Sequence, residues 1–185
     1  MTRRAAFLDR DGTIIEDVDY IARPDQVRLR PTAAEAIALL NANDVAVVVI
    51  TNQSGIARGF FTVADYEAVQ ARVEQVLAEH GARIDASYYC PHHPDVGGPC
   101  DCRKPRTRLF DDAIATLALA PAESMFAGDR TRDVLPAFAY GGRAFLVMAP
   151  STPPGEAEEA RLAGATILDT LLEAVQRFLA ALPSR

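Results

Sequence analysis

No apolar run in this sequence approaches the roughly 18 residues that a membrane-crossing helix needs. The first apolar stretch, Ala5 to Leu8, is cut short by Asp9. That interruption argues against a secretory leader and points to a protein that stays off the membrane. Cysteine is scarce. There are three, an odd number that suits a reduced, cytoplasmic setting better than a disulfide framework. Lysine is scarcer still: the 19 basic residues are 18 arginines and one lysine, Lys104. Positive charge is outnumbered overall, with a net charge of −6. That balance argues against a general nucleic-acid binder, which needs a basic face. It leaves room for a small anionic ligand held by a few local cations.

What is present is a chain of 185 residues, 49% of them apolar. This suits a single domain over residues 1–185 with a packed core, working as a monomer, and is too apolar for disorder. Ala5 to Leu8 reads as a short buried strand. Val45 to Ile50, β-branched except at Ala46, reads as a central parallel strand. Further strands are expected at Ile84 to Tyr89, Ser124 to Ala127, Ala144 to Met148 and Thr166 to Leu168. Helices are expected from Thr32, as N-cap, to about Asn41, from Thr62 to Gly81, over Leu109 to Leu119, and over Thr170 to Leu182. Pro150 to Gly155 reads as a surface loop. A helix starting at Thr131 would hold Pro136 in its interior, which suggests a later start. Strands alternating with helices predict an α/β fold, a Rossmann-like parallel sheet with helices on both faces.

Ligands of such sheets bind beyond the carboxyl ends of the strands. Four polar clusters fall there: Asp9 to Thr13, Thr51 to Ser54, Cys90 to Lys104, and Asp129 to Asp133. Asp9 follows the first strand directly, and an ionised carboxylate there can attack phosphorus without a base. Asp11, on the same side of an extended chain, can protonate a leaving oxygen and then deprotonate water. Gly12 permits a sharp turn that frees backbone N–H groups for phosphate.

The set Asp9-x-Asp11-Gly12-Thr13, Thr51, Lys104 and Gly128-Asp129-x-x-x-Asp133 resembles the haloacid dehalogenase superfamily of phosphatases. The resemblance spans nearly the whole chain to about Met148. It implies Mg²⁺ held by Asp9, Asp129 and the Asp11 carbonyl, with Asp133 either a ligand or a support behind them. It implies that Thr51, Asn52, Gln53 and Ser54 hold the transferring phosphoryl group. Lys104 is expected between the nucleophile and the phosphate, where a compact ammonium fits and a planar guanidinium does not.

Cys90-Pro91-His92-His93-Pro94 and Cys100-Asp101-Cys102 bring together every cysteine of the chain. Cys90, His92, Cys100 and Cys102 make a closed Cys₃His set for structural Zn²⁺, with His93 as the alternative to His92. The zinc loop, about residues 90–102, follows the third strand. Together with Asp17-x-x-Tyr20 and Thr51 to Gly59, it resembles the zinc-containing branch that includes the heptose bisphosphate phosphatases and the histidinol-phosphate phosphatases. The branch has this loop in place of a large cap domain. The implied activity is hydrolysis of a phosphosugar monoester through an aspartyl-phosphate. Arg58 and Arg103 are the candidates for a second phosphate. Glu16, Asp17 and Asp19 would instead suit a cationic amine, as in histidinol phosphate. The reading from another class is a silent phosphosugar-binding or interaction protein, against which the intact Asp9–Asp11 pair speaks.

Overall fold

Short apolar runs that would be too brief for helices form the centre of the molecule. The structure, a computed structural model, describes residues 2–182. In chain order its elements are β1 (Ala5–Leu8), α1 (Ala33–Ala42), β2 (Ala46–Asn52), α2 (Val63–Glu79), β3 (Ala86–Cys90), α3 (Arg108–Leu117) and β4 (Met125–Gly128). There follow α4 (Thr131–Val134), α5 (Pro136–Tyr140), β5 (Arg143–Val147), α6 (Glu156–Ala163), β6 (Thr166–Leu168) and α7 (Leu171–Ala180). The six strands form one sheet in the order β3-β2-β1-β4-β5-β6. Every pairing is parallel.

Side chains alternate across this sheet, as strand geometry requires. Leu8, Val47, Val49 and Ala127 face one core, covered by Ile37 and Leu40 of α1, Val73 and Leu77 of α2, and Val175 and Phe178 of α7. Phe7, Val48, Ile50 and Phe126 face the other, covered by Leu109 and Phe110 of α3, Val134 of α4 and Ala160 of α6. Helices on both faces explain why the central strands are apolar throughout. The strand order runs outward from β1 on both sides, so a crevice opens at the carboxyl ends of β1 and β4.

Several local expectations are corrected. Thr32 does precede α1, but it sits at φ 65° and its side chain makes no capping bond. Thr62 caps α2 through its side chain, accepting from the Asp65 N–H. The third strand is shifted to begin at Ala86. A helix not foreseen, α6, follows the loop after Pro150. The segment with Pro136 starts at Thr131 after all. It divides at Leu135 into two short helices, which places Pro136 in a first turn, where a missing N–H costs nothing.

Candidate active site

The site grows out of the two central strands. Asp9 leaves β1 with its N–H still bonded to Ala127 O at 2.9 Å, so β4 holds it in register. The chain then folds back: the Arg10 carbonyl accepts from Ile14 N at 2.9 Å and Ile15 N at 3.1 Å. Gly12 is needed twice over in this turn. Its φ is +85°, and a Cβ there would lie 2.5 Å from Asp129 Oδ2. Asp129, at the end of β4, is thereby brought against the Asp9 turn.

Lys104 arrives from the loop after β3, 3% exposed. Its Nζ donates to Asp9 Oδ1 at 2.7 Å and to Ile50 O at 2.6 Å. It lies 2.8 Å from Asp133 Oδ1. Asn52 holds the Lys104 main chain, accepting from its N–H at 3.0 Å and donating to its carbonyl at 3.4 Å. Gln53 Nε2 donates to Asp11 Oδ2 at 2.7 Å and to Thr51 Oγ1 at 2.8 Å. The amides of Asn52 and Gln53 are thus engaged within the protein. Asp9, Asp11, Thr51, Asn52, Gln53, Ser54, Arg58, Arg103, Lys104, Asp129 and Asp133 all line one cavity of about 380 Å³.

Oxygen donors of Asp9, Asp129 and Asp133 lie within 4.8 Å of one another. Burial pushes Asp9 up to about 7; Lys104 opposes this, and Asp133, Asp129 and Asp11 add to it. Burial likewise pushes Asp129 up to about 6, with Asp133 contributing. Without a metal, burial therefore keeps Asp9 less readily ionised than the free carboxylate that its sequence context suggests. Asp133 Oδ1 is also buried, with Lys104 Nζ at 2.8 Å as its neighbour. Hard oxygen donors, and three buried carboxylates gathered around a single buried ammonium, fit a small dication.

A stability consequence follows. These native pKa values lie above the unfolded value of 3.8, so the native state binds more protons between about pH 4 and pH 7. Metal-free protein loses stability as pH rises through that window, on the order of a few kcal/mol. In chelator, the melting temperature at about pH 8 is expected to fall below that at about pH 5, with Mg²⁺ closing the gap. Equal melting temperatures in chelator would show that the carboxylates ionise at no cost.

The second cluster is sulfur-rich. Cys90, Cys100 and Cys102 are free thiols, and with His92 their donor atoms lie within 4.8 Å of one another. Cys100 Sγ stands 3.6 Å from each of the other two sulfurs, and His92 Nδ1 3.7 Å from Cys90 Sγ. These match the edge of roughly 3.8 Å of a tetrahedral zinc site with bonds of about 2.3 Å. Cys90 Sγ to Cys102 Sγ, 2.7 Å, and His92 Nδ1 to Cys102 Sγ, 3.1 Å, are tighter. The donor set thus fits zinc in its chemistry and grouping, and Cys102 would have to move outward to close the tetrahedron. His93 turns elsewhere: its Nε2 meets Arg58 Nη2 at 2.7 Å. The loop is stitched to the segment after β2 by Gln53 N to Cys90 O, 2.8 Å, and Ala57 N to Pro91 O, 3.1 Å. Arg103 Nη1 donates to His92 O at 3.3 Å. Burial lowers the Arg103 pKa, and the neighbouring Arg132 charge lowers it further.

Asp19 and Tyr20, singled out in the sequence, line the cavity, and some further contributors were missed: Arg130 and Arg132 also line it. Ser151 Oγ donates to Asp129 Oδ2 at 3.2 Å, and Thr152 Oγ1 donates to the Asp129 carbonyl at 3.2 Å. The signal for Ser151 was available, since the loop after β5 opens on the same edge of the sheet. Arg10 lay in plain view between the two aspartates. Glu16 lines a separate cavity with Arg30 and Pro150, whereas Asp17 borders both.

Comparison with known proteins agrees with this construction. Residues 101–174 match a family model described as HAD-hydrolase-like. The D-glycero-beta-D-manno-heptose-1,7-bisphosphate 7-phosphatase of Haemophilus ducreyi is 38% identical over 146 residues, covering 76% of this chain and 80% of that protein. Its counterpart from Escherichia coli O6:H1 is 39% identical over 160 residues, covering 82% and 84%. The crystal structure of D,D-heptose 1,7-bisphosphate phosphatase from B. bronchiseptica, complexed with magnesium and phosphate, superposes with a TM-score of 0.81 at 32% identity, covering 97% of this chain and 99% of that one. With two carboxylates at the ends of adjacent parallel strands, a buried lysine beside them and relatives of this closeness, the chain belongs to the haloacid dehalogenase-like hydrolases and is a phosphatase of that family.

Proposed function

We propose that the chain is a cytoplasmic, monomeric, single-domain phosphatase that removes one phosphate from a sugar bisphosphate. The substrate is of the D-glycero-D-manno-heptose 1,7-bisphosphate type, as its relatives' names indicate. The observation that carries this reading is the pair Arg58 and Arg103. Both face the Asp9 cavity. Their bonds go to a histidine ring and a backbone carbonyl, and among the described residues neither forms an ion pair with a carboxylate. Guanidinium groups left open at a mouth suit a second phosphate. Histidinol phosphate needs anions there instead, and Asp17 lies 3.6 Å from Arg130.

In the proposed reaction Asp9 attacks phosphorus in line, and Asp11 protonates the departing sugar oxygen. Water, deprotonated by Asp11, then releases phosphate from Asp9. Thr51 and Ser54 orient the transferring group, and Lys104 holds Asp9 in place. Asp9, Asp129 and Asp133 would hold Mg²⁺, which when bound supplies positive charge against the phosphoryl oxygens. Phosphate release should be compared across heptose bisphosphates, hexose bisphosphates and histidinol phosphate. We expect a heptose bisphosphate to be fastest and to give one phosphate per molecule. Preference for histidinol phosphate would overturn the assignment.

Zinc, held by Cys90, His92, Cys100 and Cys102, would order the loop that carries Arg103 and braces Arg58 through His93. Elemental analysis is expected to find one zinc per chain. In Cys100→Ser, turnover of the bisphosphate should fall about tenfold or more beyond any loss on a small aryl phosphate, because only the former needs the arginines. Protein without zinc would remove the site. Equal losses would mean that the loop supports the whole centre.

A further inference from the structure

Arg10 is the largest fully buried side chain among the described residues. An arginine is almost never buried unless paired, and its partner here is its sequence neighbour. Nε donates to Asp11 Oδ1 at 2.9 Å, and Nη2 donates to Oδ2 at 3.1 Å. The guanidinium lies over the Tyr66 ring, 5.2 Å from its centroid, and Nη1 has no partner. Arg10 is absent from the lining of the cavity, so it does not touch substrate, whereas Asp11 does line it. An apolar side chain of similar length would pack against Tyr66 without the cost of burying a charge. What a guanidinium adds is a two-point grip that fixes a carboxylate plane.

We propose that Arg10 is a positioning residue for Asp11, holding the proton carrier from behind while Gln53 holds it from the side. The inference rests on the role given to Asp11 above. In the first half-reaction Asp11 enters as the acid. The bond from phosphorus to the sugar oxygen breaks as the Asp9–phosphorus bond forms, and the Asp11 proton goes to the departing oxygen. In the second half, water attacks phosphorus, the Asp9–phosphorus bond breaks, and a proton from water restores the Asp11 acid. Arg10 exchanges no proton. Its two bonds fix the plane of the Asp11 carboxyl group, so the proton is delivered and taken back at one fixed place in the cavity.

The test compares a sugar bisphosphate with p-nitrophenyl phosphate, whose leaving group departs without a proton. Arg10→Met leaves Asp11 partly in water, with a side chain 22% exposed, so no charge is stranded. Turnover of the bisphosphate should fall about 10²-fold with KM little changed. With the aryl ester, the first turnover should stay fast. It should give a burst near one equivalent of p-nitrophenolate, followed by slow release of phosphate from Asp9. Arg10→Lys should recover part of the loss. If Arg10→Met does not fold, Arg10→Lys and Gln53→Leu carry the same readouts with smaller shifts. Equal losses on both substrates, with a burst reduced in proportion, would make Arg10 merely structural and overturn the proposal. Asp11→Asn separates the two claims. Parent-like turnover of the bisphosphate in Asp11→Asn would sink the role of Asp11, and this inference with it. Loss in Asp11→Asn with parent-like Arg10→Met would sink this inference alone.

Discussion

Asp9→Asn is expected to abolish turnover, by on the order of 10⁴-fold or more, while the protein stays folded. The amide is nearly isosteric, and its carbonyl can still accept the bond from Lys104 Nζ that Asp9 Oδ1 accepts at 2.7 Å. It is a poor nucleophile and a weak ligand for a hard cation. The substitution also removes a carboxylate held near 7 by burial, so the metal-free variant should melt no lower than the parent at about pH 8. That separation is the useful feature of the test: activity vanishes while stability holds or rises. Turnover near that of the parent would refute Asp9 as nucleophile.

Lys104→Arg should be nearly as damaging although the charge is kept. Three oxygens surround Nζ, from Asp9 at 2.7 Å, Ile50 at 2.6 Å and Asp133 at 2.8 Å. An ammonium points its protons toward all three, whereas a planar fork cannot converge on a point. The larger group would displace Asp9 from the line of attack, and misplaced catalytic groups lose about 10²–10³-fold or more. The side chain is buried on every side, so it has no room to swing out. Near-parent kinetics would reduce Lys104 to a diffuse positive charge. They would also remove the significance of its being the only lysine.

Much of this was legible because strong local signals agree with the fold. Val45 to Ile50 reads as a buried strand from its β-branched run, and it is one. Thr62 reads as the start of a helix, and in space it is one, capped by the reciprocal bonds of Thr62 and Asp65. The polar clusters fall at strand ends because chain order in a parallel sheet dictates it. What was not legible depends on contacts distant in sequence. Helix α6 buries only Ala160, so it carries no apolar stripe to read. Asp133 gave no sign of lying beside Lys104, since 29 positions of sequence separate them and only the sheet brings their loops together. The burial of Arg10 was hidden because an arginine in a turn reads as a surface residue. Only Tyr66 packed over it, and Asp11 bonded to it, make it an interior one.

The bond from Asp9 N–H to Ala127 O ties the nucleophile to the ladder of the central strands, whereas Arg103 follows, and Arg58 is braced through His93 by, the loop that the proposed zinc would hold in place. On that proposal, chemistry and choice of substrate rest on units of different durability. On warming, or on chelation of the proposed zinc, the loop is expected to give way while the sheet persists. The enzyme would then pass through a stage of indiscriminate hydrolysis before it falls silent, and its selectivity would be a more sensitive gauge of its integrity than its activity.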